Sequence, residues 1–527
     1  MPRTKPAAKK TTAKRPARKA AAAAVISAWQ DDPLSGLPPI PRPVPNLAKG
    51  ALKFKIKGTA IPPQVYPGGT PGFRYWTAAE ALRRGGDFWA PLLGLSRWQP
   101  GAVLGVSLDK GTDLNAYYDR SELAFFHEAV GKTTYYSGES PDVVCHEMGH
   151  ACLDAHRPQL WDAPFIEAGA FHESFGDMSA ILSALQLPSV RAVALKPLKD
   201  YKPSPLSRCA EQLGEGIRKV DKPAVDKDCL RNAYNAFKYV DPQTLPDSAP
   251  ATALSAEVHS FSRVFTGAFY EILSGMLNIR SKAPTDAVLA SVATDMAYLL
   301  SDATAAAPVQ PDYFAQVAAH MVDADTSRFA GKYRAALVAT FVKRRILPKT
   351  AVQSLAAAPV AKAAPAAVVA RAAMARRPTT QFQKVTFNAQ AFGLEDKTVI
   401  VMAPVERKPF QTAAASLIHQ YGGPDKVEQA THRFVKQLFA HDRVDSDSGT
   451  RKASITDSTP REQLRKTHVL TKAPGGLKLT RRLFHCGCGR PIGLRFPRAT
   501  GTESNGEQEA QDQDRSSQTR RPQDAGG

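Results

Sequence analysis

Residues 143–156 read VVCHEMGHACLDAH and hold one HExxH box, His146 to His150, followed by a third histidine. Residues four apart on a helix project from one face, so the rings of His146 and His150 can converge on one ion. Imidazole nitrogen is a common zinc ligand, and a catalytic zinc site keeps one position open for water. Glu147 lies one residue round the helix, where it can take a proton from that water. The stretch predicts a zinc-binding helix and leaves the third protein ligand open.

Three residues are candidates for the third ligand. His156 stands six residues after the second histidine, which is the metzincin spacing, but Leu153 occupies the place of that family's glycine. Leucine resists a positive φ, so we expect the helix to continue and to carry His156 away from the ion, exposed at the helix end. Glu173 and Asp177 lie in GAFHESFGD, four apart and on one helix face. Glu173 is the favoured ligand, and Glu167 is a rival without such a partner.

Composition divides the chain of 527 residues into segments, and 43% hydrophobic content is enough for a large two-lobed domain and a smaller one. Residues 1–50 are predicted to form a disordered basic arm and a proline-rich linker. Residues 51–350 have a globular composition, with strand patterns first and helical periods afterwards. Residues 351–378 are predicted as an Ala/Pro-rich linker, 379–445 as a small α/β module, and 446–527 as a mostly disordered tail.

The net charge of +20 is concentrated in part at the N-terminus, where eight basic residues precede the first acidic one. Such an arm attracts nucleic acid or another polyanion without sequence preference, or it serves as a solubilising tail. No apolar run approaches the ~20 residues that a membrane span needs. No secretory signal peptide is visible, which favours the cytoplasm. We expect a monomer.

Several blocks in order along the chain resemble the thermolysin family of zinc peptidases, the gluzincins, in which HExxH is completed by a downstream ExxxD. NAYYDRSEL is similar to that family's substrate-binding edge strand, and LRNAYNAFKYVDP to the stretch that carries its pocket arginine. VHSFSRVFTGAFYEILS is similar to the helix that carries its catalytic histidine. The resemblance implies an α+β zincin fold with a β-rich N-terminal lobe, a helical C-terminal lobe and the active-site cleft between them.

The resemblance implies a zinc-dependent endopeptidase that cuts internal bonds of protein or peptide substrates near apolar residues. One zinc ion would be held by His146, His150 and Glu173. Glu147 would be the general base, and Asp177 would accept a hydrogen bond from a ligand imidazole and fix its tautomer. Family members are secreted, so secretion is the alternative to the cytoplasm.

Four further residues take positions of the family's substrate site. His259 matches the catalytic histidine and Arg231 the pocket arginine, and both would stabilise the tetrahedral intermediate. Asn115 and Ala116 match the pair that holds the substrate backbone, since an extended peptide can add to an exposed strand.

The chain departs from the family pattern at several positions. Leu254 stands where an acid normally orients the catalytic histidine, although Glu257 is a candidate substitute, and Pro164 replaces the pocket tyrosine. Asp142 matches one calcium carboxylate but Ala184 replaces the next, so a paired calcium site is not predicted. These departures support an alternative function, a catalytically weak or inactive peptidase-fold protein that its basic arm tethers to polyanions.

The cysteines do not form a zinc-binding pattern. HCGCGR, residues 485–490, offers three soft ligands without a second pair, so its cysteines are predicted to be incidental in a loose tail. Cys209 and Cys229 flank an apparent insertion, and a disulfide and two free thiols both remain open.

Overall fold

The computed structural model describes residues 24–350, 379–396, 398–407, 424–446 and 461–487. The predicted basic arm before residue 24, the Ala/Pro-rich linker and the last forty residues lie outside these ranges. The described residues form a mixed α+β structure with an N-terminal sheet region, a central helical region and a C-terminal mixed sheet. The predicted order of a strand-rich part followed by a helical part is confirmed, but the helix Pro71–Leu93, which was not predicted, lies between the first strands.

The elements are numbered in chain order within the described residues. The strands are β1 (Val25–Ala28), β2 (Ile40–Pro43), β3 (Lys53–Ile56), β4 (Val103–Ser107), β5 (Ala116–Tyr118), β6 (Glu122–Phe125), β7 (His127–Val130), β8 (Thr133–Tyr136), β9 (Arg208–Cys209), β10 (Arg231–Asn232), β11 (Thr379–Asn388), β12 (Thr398–Arg407), β13 (Val444–Asp445), β14 (His468–Ala473), β15 (Gly476–Arg481) and β16 (Phe484–His485). The α-helices are α1 (Pro71–Leu93), α2 (Pro141–His156), α3 (Ile166–Ala184), α4 (Pro188–Lys199), α5 (Glu211–Val220), α6 (Val258–Arg280), α7 (Asp286–Ala306), α8 (Tyr313–Phe329), α9 (Arg334–Lys343), α10 (Pro424–Ala440) and α11 (Arg461–Leu464).

The N-terminal sheet has five strands in the order β16-β5-β6-β4-β3. Strands β3, β4 and β6 run parallel, whereas β5 is antiparallel to β6 and β16 is antiparallel to β5. The edge of β5 that the sequence assigns to substrate is therefore covered by a strand from the far end of the chain.

Helix α2 begins where the sequence predicts and continues through His156. The Ser140 side chain accepts a hydrogen bond from the Val143 N–H, and Pro141 occupies the first helical position, where its missing N–H costs nothing. Leu153 stays helical, as predicted. The helix packs along α3, and both helices are almost fully buried, so the predicted metal ligands lie in the core.

Residues 24–50 were predicted to be part of the basic arm and a proline-rich linker, but they contain two paired strands. Strands β1 and β2 form an antiparallel pair that packs on α1 and buries Ile26 and Ala28. Asp32 then accepts a hydrogen bond from the Ser140 hydroxyl at 2.6 Å, which joins the segment to the start of α2. The proline-rich composition concealed β2, IPRP, since proline is compatible with an edge strand, whereas β1, VISA, is too short to be recognised from its pattern.

The C-terminal mixed sheet extends beyond the predicted module and has the order β11-β12-β15-β14-β13. Strands β14 and β15 and the short β16 lie in the part predicted as tail, so that prediction is wrong for residues 461–487. One face of β14 and β15 is buried and the other exposed, and a strand of that kind needs few apolar residues. Residues 411–421 of the predicted module, QTAAASLIHQY, lie outside the described residues.

A buried ion pair joins the C-terminal sheet to the helical region. Arg157, just after α2, donates to the Glu406 carboxylate of β12 at 2.6 Å. The same carboxylate accepts the Val309 N–H at 2.8 Å and the Thr380 hydroxyl at 2.8 Å. Both charged side chains are almost fully buried, so each depends on the other to offset its desolvation.

Among the described helices, no single one has the length and apolar character to cross a membrane. Helices α3 and α4 meet the criteria only together, as a pair bent by 113°.

Glu406→Ala is expected to lower the free energy of unfolding by about 3–5 kcal/mol, because it leaves the Arg157 guanidinium buried without its main partner. Urea denaturation of the intact protein measures this change. Glu428→Ala is the control, since the Glu428 side chain on α10 is 58% exposed, and it should change stability by no more than about 0.5 kcal/mol. Equal stability of the two variants would contradict the ion pair's role.

Candidate metal centre

The three predicted metal ligands come together in the core. His146 and His150 project from α2, Glu173 projects from α3, and their ligand atoms lie within 4.8 Å of one another. The Nε2 atom of His146 is 3.3 Å from one Glu173 oxygen, and the Nε2 atom of His150 is 3.7 Å from the other. The group combines two imidazoles and a carboxylate, which is a ligand set of catalytic zinc sites.

The hydrogen bonding of this group fits a cation. Among the described residues, none forms a hydrogen bond with Nε2 of His146, Nε2 of His150 or Oε2 of Glu173, although all three atoms are buried. Buried polar atoms nearly always have partners, and a bound ion is one explanation for such exceptions. The three atoms converge on one place, so a metal ion would satisfy them together.

Asp177 orients the first histidine. Its Oδ1 accepts a hydrogen bond from His146 Nδ1 at 3.0 Å, which leaves Nε2 with the lone pair that a metal needs. Arg231 in turn donates from Nε and Nη2 to the Asp177 carboxylate. Burial opposes protonation of His146, but Asp177 and Glu173 raise its pKa to about 9, so metal binding there would release a proton.

His172 orients the second histidine, a role that the sequence analysis missed. The Nδ1 atoms of His150 and His172 are 2.9 Å apart, so one donates to the other. If His150 donates, its Nε2 is free to bind a metal. Burial and the neighbouring positive charge of His146 lower the pKa of His150 well below its ordinary value, which keeps the ring neutral. Only the position of His172 next to Glu173 could have suggested this pairing.

Gly176 makes room for the His146 ring. A Cβ at this position would lie 2.6 Å from Nδ1 and from Cε1 of that ring, closer than real contacts allow. At the same helix crossing, a Cβ on Gly149 would lie 2.7 Å from the Ser179 hydroxyl and 3.0 Å from the Gly176 Cα. The two glycines let α2 and α3 approach so closely that His146 on α2 contacts Glu173 and Asp177 on α3.

Glu147 lies beside the metal ligands with both carboxylate oxygens buried. Among the described residues neither oxygen has a hydrogen-bond partner. Burial raises the pKa of Glu147 to about 8, although His146 acts in the opposite direction. A divalent cation at the triad would also lower this pKa. The carboxyl is thus placed to exchange a proton with a molecule at the metal.

His259, at the start of α6, faces the same centre from another side. Its Nε2 is 3.4 Å from a Glu173 oxygen. Its Nδ1 is 2.6 Å from Glu257, the residue considered as a substitute for the missing acid at Leu254. Burial opposes the charged form, but Glu173 and Glu257 outweigh it and raise the pKa of His259. An imidazole held in this way is a hydrogen-bond donor towards the site.

Strand β5, which begins at Ala116 directly after Asn115, has a peptide segment on its outer edge. The Ala116 carbonyl accepts the Cys486 N–H at 2.9 Å. The Asn115 side-chain oxygen accepts the Gly487 N–H, also at 2.9 Å. His259 Nε2 donates to the His485 carbonyl at 2.7 Å. The residues predicted to hold a substrate backbone hold residues 485–487 of this chain.

Phe484 fixes the same segment against the metal ligands. Its ring stacks on His172 with centroids 4.0 Å apart and on His150 with centroids 5.0 Å apart. Trp161 packs edge-on against it, and the Arg481 guanidinium lies over it at 4.1 Å. Arg481 also donates to the Trp161 carbonyl at 2.7 Å, which anchors the end of β15 next to the site.

Cys486 corrects the prediction that the HCGCGR cysteines are incidental in a loose tail. The residue is 1% exposed, and its sulfur, a His146 ring nitrogen and a Glu147 oxygen lie within 4.8 Å of one another. A second cysteine pair could not indicate this arrangement, because the partners of Cys486 are His146 and Glu147, more than three hundred residues earlier. Cys488 lies outside the described residues.

The two rival ligands lie away from the centre. His156 is buried, not exposed as predicted, because its ring nitrogens contact the Leu93 and Ser301 carbonyls at 3.1 and 3.3 Å. Glu167 accepts the Tyr239 hydroxyl at 2.7 Å and a backbone N–H of α8 at 2.8 Å. Neither belongs to a group of described residues that can hold a metal ion.

The position matched to a calcium carboxylate lies in a buried acidic group. Asp142 accepts the Ala210 N–H at 3.1 Å and neighbours Asp31, Asp32 and Glu211. Burial raises the pKa of Asp32 to about 6 and that of Glu211 to about 9, with further increases from the neighbouring acids. Burial thus shifts both carboxyls towards the protonated form, and Glu211 further than Asp32.

Cys209 and Cys229, for which a disulfide was left open, are both buried free thiols.

Comparison with protein-family models and with curated proteins gives no match for this chain.

Glu173→Gln is expected to abolish stoichiometric zinc binding, because an amide cannot supply the negative charge of the third ligand. Glu167→Gln is the matched control, since Glu167 is a second buried carboxylate on α3 and should leave the zinc content at the wild-type level. Elemental analysis after dialysis against a weak chelator measures both variants. Loss of zinc from Glu167→Gln but not from Glu173→Gln would show that the wrong carboxylate has been assigned.

Proposed function

We propose that the protein is a zinc-dependent endopeptidase of the thermolysin-like, gluzincin kind, with a two-lobed zincin fold. The observation that carries this proposal is the convergence of three buried ligand atoms without hydrogen bonds, next to a buried Glu147. A structural zinc site would have no need of a buried carboxylate beside the ligands that has no partner of its own. Two imidazoles, one carboxylate and a neighbouring acid–base group instead support hydrolysis by a metal-activated water.

When bound by His146, His150 and Glu173, zinc would polarise a peptide carbonyl and lower the pKa of a water molecule. Glu147 would take the proton of that water and deliver it to the leaving amine. Asp177 and His172 would hold the two ligand rings in the tautomers that leave Nε2 free for the metal. Residues that hydrogen-bond to metal ligands in this way raise metal affinity by about ten- to hundred-fold in other proteins.

His259 would stabilise the negative oxygen that develops on the attacked carbonyl. Its Nδ1 donates to Glu257, which holds the ring and favours the charged form, so Nε2 keeps a proton to donate. The resemblance to the thermolysin family implies that Arg231 also stabilises the tetrahedral intermediate. Since Arg231 Nε and Nη2 both bind Asp177, its contribution is first to hold that carboxylate against His146.

The substrate would lie antiparallel to β5 as an added strand. Ala116 offers its carbonyl and Asn115 its side-chain oxygen, and residues 485–487 demonstrate that an extended peptide satisfies both. Main-chain hydrogen bonds of this type provide affinity with little dependence on sequence, which suits an endopeptidase. Protein or peptide substrates are therefore the proposed class.

The test of mechanism is Glu147→Gln, made in a Gly487→Pro background so that the groove is open to substrate. Proline lacks the N–H that binds Asn115, and any Cβ at 487 would lie 2.9 Å from the Asn115 oxygen. Glu147→Gln should retain zinc and lose at least about 1,000-fold in kcat/KM on a peptide library, since both proton transfers depend on this carboxylate.

Cleavage is followed by mass spectrometry of the products, with and without a chelator. Gly68→Ala is the control for a glycine replacement, because a Cβ at Gly68 would meet no atom within 4 Å. Cleavage that survives Glu147→Gln, or that a chelator does not stop, would overturn the proposal. A zinc-bound protein without any cleavage in the open background would favour the binding-protein alternative.

A further inference from the structure

Residues 484–487 follow the path of a substrate through the site. Three hydrogen bonds from their backbone join them to groups assigned to a substrate: Ala116 and Asn115, assigned to its backbone, and His259, assigned to the attacked carbonyl. The segment is antiparallel to β5, and its pairing places His485 opposite Tyr117. A peptide substrate cannot use these groups while the segment is present.

The side chain of Cys486 distinguishes this segment from an ordinary substrate. Its sulfur is close to both His146 and Glu147, within the 4.8 Å that joins their ligand atoms. Among the described residues, Cys486 is not in one group with His150 and Glu173, so its sulfur lies beside the triad, next to His146 and Glu147, and its side chain would have to shift to reach the metal. Thiolate is a strong ligand for zinc, and its coordination converts an open three-ligand site into a closed four-ligand site.

The segment is held by contacts that have no role in hydrolysis. Phe484 stacks on the rings of His150 and His172, and Arg443 donates to His485 Nε2 at 2.9 Å. On the opposite face of the sheet, Leu483 is buried against Tyr117. These contacts alternate along the strand, so the register that places Cys486 at the metal ligands is fixed.

We infer that Cys486 is a fourth ligand of the metal at His146, His150 and Glu173, and that residues 484–487 are a built-in inhibitor that closes the peptidase site. This inference rests on the proposed zinc site and goes beyond it. On binding, the thiol loses its proton to solvent and the thiolate fills the position of the water. The segment stays uncut, because no water is then available beside Glu147 to attack it.

X-ray absorption at the zinc edge tests the ligand directly in the intact protein. The wild-type spectrum should show one sulfur at about 2.3 Å together with nitrogen and oxygen ligands at about 2.0–2.2 Å. Cys486→Ser should keep one zinc per chain and lose the sulfur. Cys488→Ser is the matched control two residues away in the same motif, and it should keep the sulfur.

The outcomes separate this inference from the proposed function. Zinc with nitrogen and oxygen ligands only, or sulfur that persists in Cys486→Ser and disappears in Cys488→Ser, overturns the inference and leaves the peptidase proposal standing. A chain that takes up no zinc overturns both.

Activity tests the inhibitory part of the inference. Cys486→Ser and Gly487→Pro should each raise the cleavage rate of a peptide library by about ten-fold or more, equivalent to at least 1.4 kcal/mol of lost inhibition. Cys488→Ser should match the wild type. Unchanged rates in both variants, or an intact-mass measurement that finds the purified wild-type chain cut between residues 485 and 488, would overturn it.

Discussion

The contact between α2 and α3 is the constraint on which the site depends. Glycine at 149 and 176 removes the two side chains that would separate the helices, and the His146 ring occupies the space at Gly176. Because of this approach, a histidine on one helix lies within reach of Glu173 and Asp177 on the other. The proposed ligands His146, His150 and Glu173 are thereby held in a fixed arrangement by two packed helices, as precise metal binding requires.

Charge balance follows from the same packing. Glu147, Glu173 and Asp177 are almost fully removed from water, and buried carboxylates are costly unless paired. Arg231 neutralises Asp177, and His259 supports Glu173. Glu147 alone has neither an ion pair nor a hydrogen bond among the described residues. A carboxylate in that condition is costly for stability, which is consistent with a role in chemistry.

Local spacing made part of this site predictable. HExxH places two ligands, His146 and His150, on one helix face, and ExxxD does the same for Glu173 and Asp177. Leu153 lets α2 continue to His156. These helices and side-chain pairs can therefore be predicted from short stretches of sequence. The contacts of His156 with the Leu93 and Ser301 carbonyls, and of His172 with His150, depend on helix packing that no short pattern encodes. In the first strand pair, prolines concealed β2, and β1 is too short for its pattern to indicate a strand.

The placement of Cys486 was the least predictable feature. Its partners lie more than three hundred residues away, and the strands that deliver it bury only one face, so their composition resembles that of a tail. The HCGC motif contains no second pair of zinc ligands, so its spacing does not indicate partners elsewhere in the chain. The fold places Cys486 next to His146 and Glu147, in the groove proposed for a substrate.

Diffraction data from crystals of the intact protein, collected on both sides of the zinc absorption edge, test the central claim most directly. The account predicts one anomalous peak in contact with His146 Nε2, His150 Nε2, a Glu173 oxygen and the Cys486 sulfur. A peak elsewhere, or no peak at these residues in zinc-loaded crystals, would contradict the account.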